Sequence, residues 1–422
     1  MNGSAKSFQD VIAKFSKAIA DYHEGLVRID REFNAPKNGL NEDQERNREI
    51  RKSKMRIKTS NSELMKTLSN IGKVISSKPI EQILSNVLIR IDEKINLIGT
   101  NLEQGIECVL EGEINDLSDG VREVVLPFSI LRDIVSKLDM NDTTEIELSS
   151  KKGVIKQKNA SYSLNCFNPE AFAILPKIEE KLSFSLNLSF LRFLIENTIF
   201  AASKKEESRK EFKGVLIDSK DGFINFVATD STALALNKKQ AELPEMSFII
   251  PWRALDIFSK IDTGKDDNVK VISDGNSMKF MLSNLTLISL LINGKFPAYE
   301  TVIPESFEYS AEVNKDDFLK SLKRVNILAS KGNERINLTF SNGFVEIESA
   351  STEVGEGKEK VQCNANTEIS IQFYSEKLIN GIEHVPSQTV LFGINGPLHP
   401  VLIKGQDNDS YVYVIMPQKP SE

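Results

Sequence analysis

Three stretches of the chain alternate hydrophobic and polar positions in the same way, and each has the form of a β-hairpin. The central copy, residues 212–235, places β-branched and aromatic residues on both sides of the turn dipeptide Asp221-Gly222. An earlier copy lies at residues 86–101 and a later copy at residues 335–349. Because one supersecondary unit recurs at similar intervals, the pattern predicts a repeated domain.

Each hairpin follows a segment with helical hydrophobic spacing, and a second such segment comes later in each repeat. Strands outnumber helices, so the predicted fold class is α+β, with antiparallel sheets that carry paired helices on one face. The predicted helices span residues 61–77, 127–138, 187–203, 251–262, 314–330 and 374–384. The predicted domains are 55–178, 183–304 and 309–419.

Residues 1–54 differ from the repeats that follow them. Hydrophobic residues there recur at helical spacing, which predicts a helix from about residue 5 to 32, and residues 34–54 have linker composition. One interpretation is an appended helix on a tether, or residues upstream of a natural start at Met55. The other is a helix that docks on the body of the protein or on a partner.

Composition narrows the class of protein. A chain of 422 residues suits two to four domains, and 40% hydrophobic with 27% charged residues is ordinary for a globular protein. No apolar run is long enough to span a bilayer, and no secretory signal is readable at the start. Three scattered cysteines fit a reducing cytoplasm, and the three histidines offer no zinc spacing. We therefore expect a cytoplasmic protein without a metal or cofactor.

The sequence contains no arrangement of residues that predicts catalysis. Asp230, directly after the second strand of the central hairpin, is a lone carboxylate, and its position favours a turn or cap role over general acid chemistry. No glycine-rich loop is followed by the Lys-Ser/Thr pair of a nucleotide site, and no histidine can be placed in a triad. The protein is therefore predicted not to be an enzyme.

Charge is distributed unevenly. The whole chain carries −7, but windows around the six predicted helices hold 15 Lys and Arg against 10 Asp and Glu, a net +5 that leaves −12 elsewhere. On the fifth helix Lys320, Lys323 and Arg324 lie opposite the apolar stripe, and Lys66 and Lys73 face outward on the first. Such helices suit a phosphate backbone, although lysines commonly do no more than solvate helix backs.

Several motifs occur in a diagnostic order. Thr229-Asp230 is followed by Asn-Gly-Lys-Phe-Pro-Ala-Tyr at 293–299 and by Tyr-Val-Ile-Met-Pro at 413–417. With the helix order, these motifs resemble the bacterial sliding clamp family, the beta subunits of DNA polymerase III, over residues 55 to about 419. The resemblance implies three tandem clamp domains, with sheets outside and paired helices inside. It further implies that two protomers close head to tail as a homodimeric ring around duplex DNA, without sequence preference, and confer processivity in DNA replication.

The resemblance also implies DNA contacts at Lys78, Lys204, Lys205 and Arg209, to which the charge pattern adds the helix cations named above. A second implied site is a hydrophobic pocket between the second and third domains that receives short linear motifs. Its expected partners are the clamp loader, the DNA polymerase III alpha subunit, other polymerases, mismatch-repair proteins and ligase. The matching pocket positions are Phe212, Thr229, Ser231, Thr232, Ala233, Leu234, Pro297, Val302, Leu398, Pro400, Val414, Met416 and Pro417.

The chain departs from the family pattern at the lip of this pocket. Where Gly-His-Arg commonly follows Thr-Asp, this sequence has Ser231-Thr232-Ala233, so a ring and a guanidinium are absent. This change predicts altered or weaker partner motifs. It keeps open a second function, a clamp-like peptide-binding hub that no longer serves the replicative polymerase.

Overall fold

A computed structural model describes residues 55–76, 78–115, 122–174, 177–329, 334–351 and 355–419. The predicted N-terminal helix and its linker lie outside these residues. Among the helices that are described, none has the length and apolar character needed to cross a membrane.

All six predicted helices are confirmed, and they pack in pairs, α1 with α2, α3 with α4 and α5 with α6. Capping explains where two of them begin, because Ser60 Oγ accepts from Glu63 N (3.2 Å) and Asn187 Oδ1 accepts from Phe190 N (3.1 Å). The helices are α1 Asn61–Ile71, α2 Phe128–Lys137, α3 Leu188–Glu196, α4 Trp252–Lys260, α5 Lys315–Ala329 and α6 Ser375–Glu383.

Two helices end earlier than predicted. Helix α1 stops before Gly72, where an added Cβ would lie only 2.8 Å from Phe128 Cζ, so the paired helix approaches the backbone closely there. Helix α3 stops before Asn197, whose side chain donates to Phe193 O at 2.7 Å, and Thr198 Oγ1 donates to Leu194 O at 2.8 Å. These side-chain bonds satisfy carbonyls at the helix end, which hydrophobic spacing does not reveal.

The strands of the described residues follow the same plan three times. In the first repeat they are β1 Met55–Ser60, β2 Asn86–Ile91, β3 Ile95–Thr100, β4 Gln104–Leu110, β5 Glu113–Asn115, β6 Glu123–Pro127, β7 Thr143–Leu148, β8 Lys152–Gln157 and β9 Ala160–Asn165. In the second they are β10 Leu182–Asn187, β11 Gly214–Lys220, β12 Phe223–Thr229, β13 Ala233–Gln240, β14 Met246–Pro251, β15 Asn268–Ser273, β16 Ser277–Met281 and β17 Leu285–Leu290. In the third they are β18 Tyr309–Asn314, β19 Arg335–Ser341, β20 Gly343–Ser351, β21 Gly355–Ala365, β22 Ile369–Tyr374, β23 Thr389–Ile394, β24 Val401–Gly405 and β25 Asn408–Ile415.

The three predicted hairpins are confirmed as the antiparallel pairs β2·β3, β11·β12 and β19·β20. In the central hairpin Asp221 and Gly222 both have positive φ (53° and 77°), the geometry that a tight turn between twisted strands requires. Both residue types tolerate that backbone region, which is why the dipeptide predicted the turn.

The domains are joined by strand pairing, so that sheets continue from one repeat into the next. Strand β4 of the first repeat pairs with β17 of the second in an eight-stranded sheet of order β10-β15-β16-β17-β4-β3-β2-β6. Strand β13 of the second pairs with β25 of the third in a twelve-stranded sheet of order β14-β11-β12-β13-β25-β24-β23-β18-β21-β20-β19-β22. A five-stranded sheet, β5-β1-β7-β8-β9, completes the first repeat.

Candidate peptide pocket and candidate DNA-facing surface

The polar corner after β12 is a hydrogen-bonded turn centred on Asp230. Its Oδ1 accepts from the backbone N–H groups of Thr232 and Ala233, each at 3.0 Å, and Thr229 Oγ1 donates to Ala233 O at 2.7 Å. This geometry is that of a side chain substituting for backbone in a turn. The turn role predicted for Asp230 is therefore confirmed.

Asp230 also ties the second repeat to the third. Lys377 of α6 forms an ion pair with Asp230 Oδ2 and a hydrogen bond to Thr232 Oγ1, and both charged side chains are largely buried. Burial by itself would raise the carboxyl pKa, but the Lys377 ammonium and the donors from Thr232 outweigh it and lower the pKa of Asp230. The tie joins residues 147 positions apart, which no local sequence pattern indicates.

A cavity of about 470 Å³ lies beside this corner, between β13, β25 and the segment around residues 297–304. Its walls are mostly apolar, and at its mouth Val302 and Met416 are 48% and 37% exposed. Exposed apolar side chains around a concavity are typical of a site that buries a partner's side chain. The structure brings these sequence-predicted residues together as its lining: Phe212, Thr229, Ser231, Thr232, Ala233, Leu234, Pro297, Val302, Pro400, Val414 and Met416.

Two predicted pocket residues, Leu398 and Pro417, are not among the lining residues of this cavity. Leu398 lies on the turn between β23 and β24 and is 50% exposed. Pro417 follows the end of β25, and the next residue donates its N–H to Gln372 O at 2.7 Å, which draws the chain towards β22. The lining of this cavity therefore includes neither residue, and their place in the peptide site stays a prediction.

One wall of the pocket was only partly predicted from the sequence, through Pro297 and Val302. The 3₁₀ helix Tyr299–Val302 and the residues after it supply this wall, with Tyr299 only 8% exposed. Burial raises the pKa of the Tyr299 phenol above its usual value. The signal was present, since Tyr299 closes the motif at 293–299, but the turn that folds it back into the pocket has no periodic pattern. The missed lining residues are Ala298, Tyr299, Thr301, Ile303 and Pro304.

The altered lip of the pocket has a backbone consequence. The backbone of Ser231 has φ +78°, a left-handed conformation. Residues other than glycine adopt it only at a cost of about 1–2 kcal/mol. The glycine usual at this position in the family would carry no such cost. Ala233 is 5% exposed and pairs with Ile415, so its methyl group lies in the joint between repeats.

The cations of α5 lie where the hydrophobic pattern placed them. Phe318, Leu322 and Val325 are buried, while Lys320, Lys323 and Arg324 are exposed. The sequence did not indicate that two of these cations have acidic neighbours. Lys323 pairs with Glu383, and Arg324 binds Glu359 through two nitrogens, with Nε 2.8 Å from Oε1. The guanidinium lowers the pKa of Glu359, so part of the predicted positive charge is locally neutralised.

The other predicted DNA contacts differ in their exposure and in whether an acidic residue lies nearby. Lys66 lies 3.7 Å from Asp262 across the joint between the first two repeats, and Lys73 is half-buried. Lys78 is exposed, as are Lys204 and Lys205 after the 3₁₀ helix at 199–201. The last predicted contact is Arg209, whose guanidinium lies 3.6 Å from the carboxylate of Glu211 and 5.2 Å from the ring centre of Phe212.

Three copies of one α+β domain, joined through continuous sheets and carrying paired helices, define a clamp fold. Sequence models of the DNA polymerase III beta subunit match all three copies: the N-terminal domain at 54–176, the central domain at 185–298 and the C-terminal domain at 300–419. The chain therefore belongs to the DNA polymerase III beta subunit family, the bacterial sliding clamps.

Individual relatives agree with this assignment. The curated beta sliding clamp of Halalkalibacterium halodurans is 28% identical over 367 residues, which are 84% of this chain and 96% of the relative. The crystal structure of the DNA polymerase sliding clamp from Bacillus subtilis is 25% identical with a TM-score of 0.80, covering 87% of this chain and 100% of its own. The DNA polymerase III subunit beta from Pseudomonas aeruginosa is likewise 25% identical, with a TM-score of 0.80, over 86% of this chain and 100% of its own.

Proposed function

We propose that this protein is a non-catalytic, cytoplasmic sliding clamp: two copies close head to tail around duplex DNA and hold a DNA polymerase on its template. The observation that carries the proposal is the way strand edges are used within one chain. The fourth strand of the first repeat, β4, pairs with the last strand of the second, β17. In the same way β13 of the second repeat pairs with β25, the last strand of the third.

This rule leaves one complementary pair of edges unused. The last strand of the first repeat, β9, forms an outer edge of its sheet. Its counterpart is β21, the equivalent of β4 and β13 in the third repeat, which pairs with β20 along its length but with β18 only at Ala365, Asn364 and Cys363. Exposed edges favour pairing with another chain, so β21 of one copy and β9 of the next would repeat the internal joint. Two copies would then close a ring of six domains.

Exposed apolar residues lie near both edges, as a self-association surface requires. Tyr162 on β9 is 41% exposed, and Phe167, just beyond this strand, is 45% exposed. On the opposite side Ile327 of α5, the helix that packs on β21, is 61% exposed. A ring gains processivity from topology, so it needs only diffuse, sequence-independent phosphate contacts and can slide.

The apolar pocket gives the ring its second role. Its volume and open mouth suit one or two large apolar side chains from a short linear motif, and the corner at Asp230 presents backbone groups beside it. We assign it to motifs of the clamp loader, the DNA polymerase III alpha subunit, other polymerases, mismatch-repair proteins and ligase. Sharing one pocket makes these partners mutually exclusive on a given protomer.

The test joins an assembly measurement with a topological one. Native mass spectrometry of the full chain should give a dimer, and the loaded protein should stay on nicked circular DNA and be lost when the circle is cut. Loss on linearisation separates encirclement from ordinary charge attraction, which depends on salt but not on DNA ends. A monomer that binds partner peptides yet is never retained on circles would contradict the clamp and leave the peptide-binding hub.

A further inference from the structure

A basic pocket with one aromatic wall lies in the second repeat, apart from the peptide pocket. It is a cavity of about 610 Å³ where the loop after residue 203 meets the start of α4 and the end of β17. We call it the Trp252 pocket, and define it by Trp252 together with Lys204, Lys205, Lys210, Lys213 and Arg253. Only Lys204 and Lys205 belong to the DNA contacts predicted from the sequence.

The positive charge of this pocket is only partly compensated. Two acidic residues, Glu103 and Glu206, line it beside the five cations. Within the described part of the chain, none of the five forms an ion pair within 4 Å, in contrast to Lys323 and Arg324 on α5. The start of α4 adds partial positive charge, because Pro251 at the N-cap offers no side-chain acceptor to the first N–H groups. Five cations against two carboxylates leave the lining with a net positive charge, which favours an anionic ligand.

The aromatic wall of the pocket favours an anion that carries a planar ring. Trp252 is partly buried, and Lys204 Nζ and Arg253 Cζ lie over its ring, 5.5 Å and 5.6 Å from the ring centre, so a stacked base would take the place of one of these side chains. Leu290, which is 37% exposed, and Leu291 extend the apolar surface. An indole face beside several cations can stack a planar base while the cations hold the attached phosphates, as in proteins that bind single strands. A simple anion would use the cations but not the ring.

We propose that the Trp252 pocket binds unpaired nucleotides of single-stranded DNA, with a base stacked on Trp252 and the phosphates held by the surrounding lysines and arginine. Duplex DNA cannot satisfy the pocket in this way, because its bases are already stacked and only its phosphates are available. The pocket would therefore hold the single-stranded part of a primed template beside the ring. This proposal rests on the proposed clamp function, which places DNA near the same loop.

The chain offers a direct reporter, since Trp252 is its only tryptophan. Titrating the full-length protein with short oligothymidylate should quench the tryptophan fluorescence in a saturable, salt-dependent way. The same concentration of a blunt duplex should quench it much less. Equal quenching by duplex and single strand would reduce the pocket to a general phosphate contact, and absence of quenching while anisotropy reports bound oligothymidylate would place the strand elsewhere. Either outcome overturns the proposal.

Variants separate stacking from charge, with binding followed by anisotropy of a labelled oligothymidylate. Trp252→Ala should weaken binding about 5- to 150-fold, the range that corresponds to ~1–3 kcal/mol per stacked base. Trp252→Phe keeps an aromatic face and should recover much of this loss. Lys204→Ala with Lys205→Ala should lower both affinity and its salt dependence, whereas Lys151→Ala, an exposed lysine between β7 and β8, should change neither. If Trp252→Ala and Trp252→Phe bind equally, no base stacks there.

Failure of this proposal can be told apart from failure of the clamp function. Trp252→Ala should be retained on nicked circular DNA as well as the unaltered protein, since encirclement needs no stacked base. A protein that quenches with oligothymidylate but is not retained on circles would leave the pocket in place and remove the clamp. If the protein is retained on circles but Trp252→Ala does not change single-strand affinity, the clamp function stands and the proposed role of the Trp252 pocket is removed.

Discussion

At the scale of single residues, peptide binding should depend on the side chains that line the cavity and not on exposed apolar residues outside it. Met416 is a lining residue at the mouth, whereas Leu398, which is more exposed, lies outside the cavity. We expect Met416→Glu to weaken binding of a labelled peptide with Leu and Phe anchors by at least about tenfold, because a buried anchor typically contributes more than ~1–2 kcal/mol.

Leu398→Glu is the matched control, because it adds the same charge to an exposed apolar site nearby. It should leave peptide affinity within about twofold, as a rim charge mainly affects association rate. Fluorescence anisotropy with both variants distinguishes the two positions. Equal losses for the two variants would mean that the cavity is not the peptide site, and an unchanged Met416→Glu would mean that the anchor lies deeper or elsewhere.

A second prediction at this scale concerns the tie between Asp230 and Lys377. The folded-state pKa of Asp230 is lowered, so the charged carboxylate stabilises the folded protein fully above the ordinary value of about 3.9. That stabilisation is lost as the pH falls from there through the lowered folded value. We therefore expect the difference in thermal midpoint between the unaltered protein and Asp230→Asn to be present at pH 7 and to shrink below about pH 4.

The control for this pH effect is Asp409→Asn, since Asp409 also pairs with a lysine, Lys404, but is 84% exposed. Its substitution should change the midpoint little at any pH, as expected for surface ion pairs. Lys377→Met should cost about 1–2 kcal/mol at neutral pH, because Asp230 keeps its hydrogen bonds from Thr232 and Ala233. A midpoint difference for Asp230→Asn that grows below pH 4 would contradict the assigned direction.

Single residues were predictable from the sequence where their roles are local. The turn role of Asp230 followed from local chemistry, because an aspartate after a strand bonds to the backbone two or three positions ahead. Its pairing with Lys377 did not follow, since nothing local links positions so far apart in the chain. Most of the pocket lining came from resemblance to a family. The two predicted positions that do not line the cavity, Leu398 and Pro417, are sequence neighbours of the lining residues Pro400 and Met416.

At the scale of elements, the exposed cations of α5 are the proposed DNA contacts, but ion pairs occupy two of them. Lys320 is exposed and has no acidic partner within the described residues, so Lys320→Glu removes an available phosphate contact. We expect it to lower the salt dependence of DNA retention by about one contact. Replacing Glu359 and Glu383 by Gln releases Arg324 and Lys323 and should strengthen retention at moderate salt.

Reversing Lys323 or Arg324 is a less informative experiment, because each reversal also breaks an ion pair and adds repulsion next to an acid. Lys151→Glu, at an exposed turn of the first repeat, controls for net charge. The readout is the salt concentration that releases half of the protein from nicked circles. If Lys320→Glu and Lys151→Glu behave alike, α5 does not face the DNA.

Helices and hairpins were predictable because their patterns are local. Periodicity located all six helices, and turn chemistry located the hairpin at Asp221-Gly222. The ends of α1 and α3 were not predictable, because they depend on the close approach of Phe128 to Gly72 and on side-chain bonds to carbonyls. A hydrophobic pattern describes which face is buried, and it carries little information about where backbone hydrogen bonding changes.

At the scale of the whole molecule, the repeats become one body through the edges of their sheets. No sequence pattern indicated that β4 would pair with β17 or β13 with β25, because strands of alternating residues can pair in many combinations. The repetition of the domain limits which strands can join the repeats. Once one joint is known, three copies of the same domain predict a second joint of the same kind and a third between chains.

A charge placed on strand β9 tests this third joint. Tyr162 lies on the outer edge strand β9 and is 41% exposed, so Tyr162→Asp should place a charge in the proposed contact with β21 of the other copy and weaken dimerisation at least about tenfold. Phe223→Asp is the matched control, since Phe223 is 36% exposed at the tip of the β11·β12 hairpin, on neither proposed edge. Sedimentation over a range of protein concentrations should show a shift to monomer for the first variant alone. The same variant should lose retention on circular DNA while it still binds partner peptide, because the peptide pocket lies within one chain. A Tyr162→Asp protein that remains a tight dimer would mean that the ring closes through other strands.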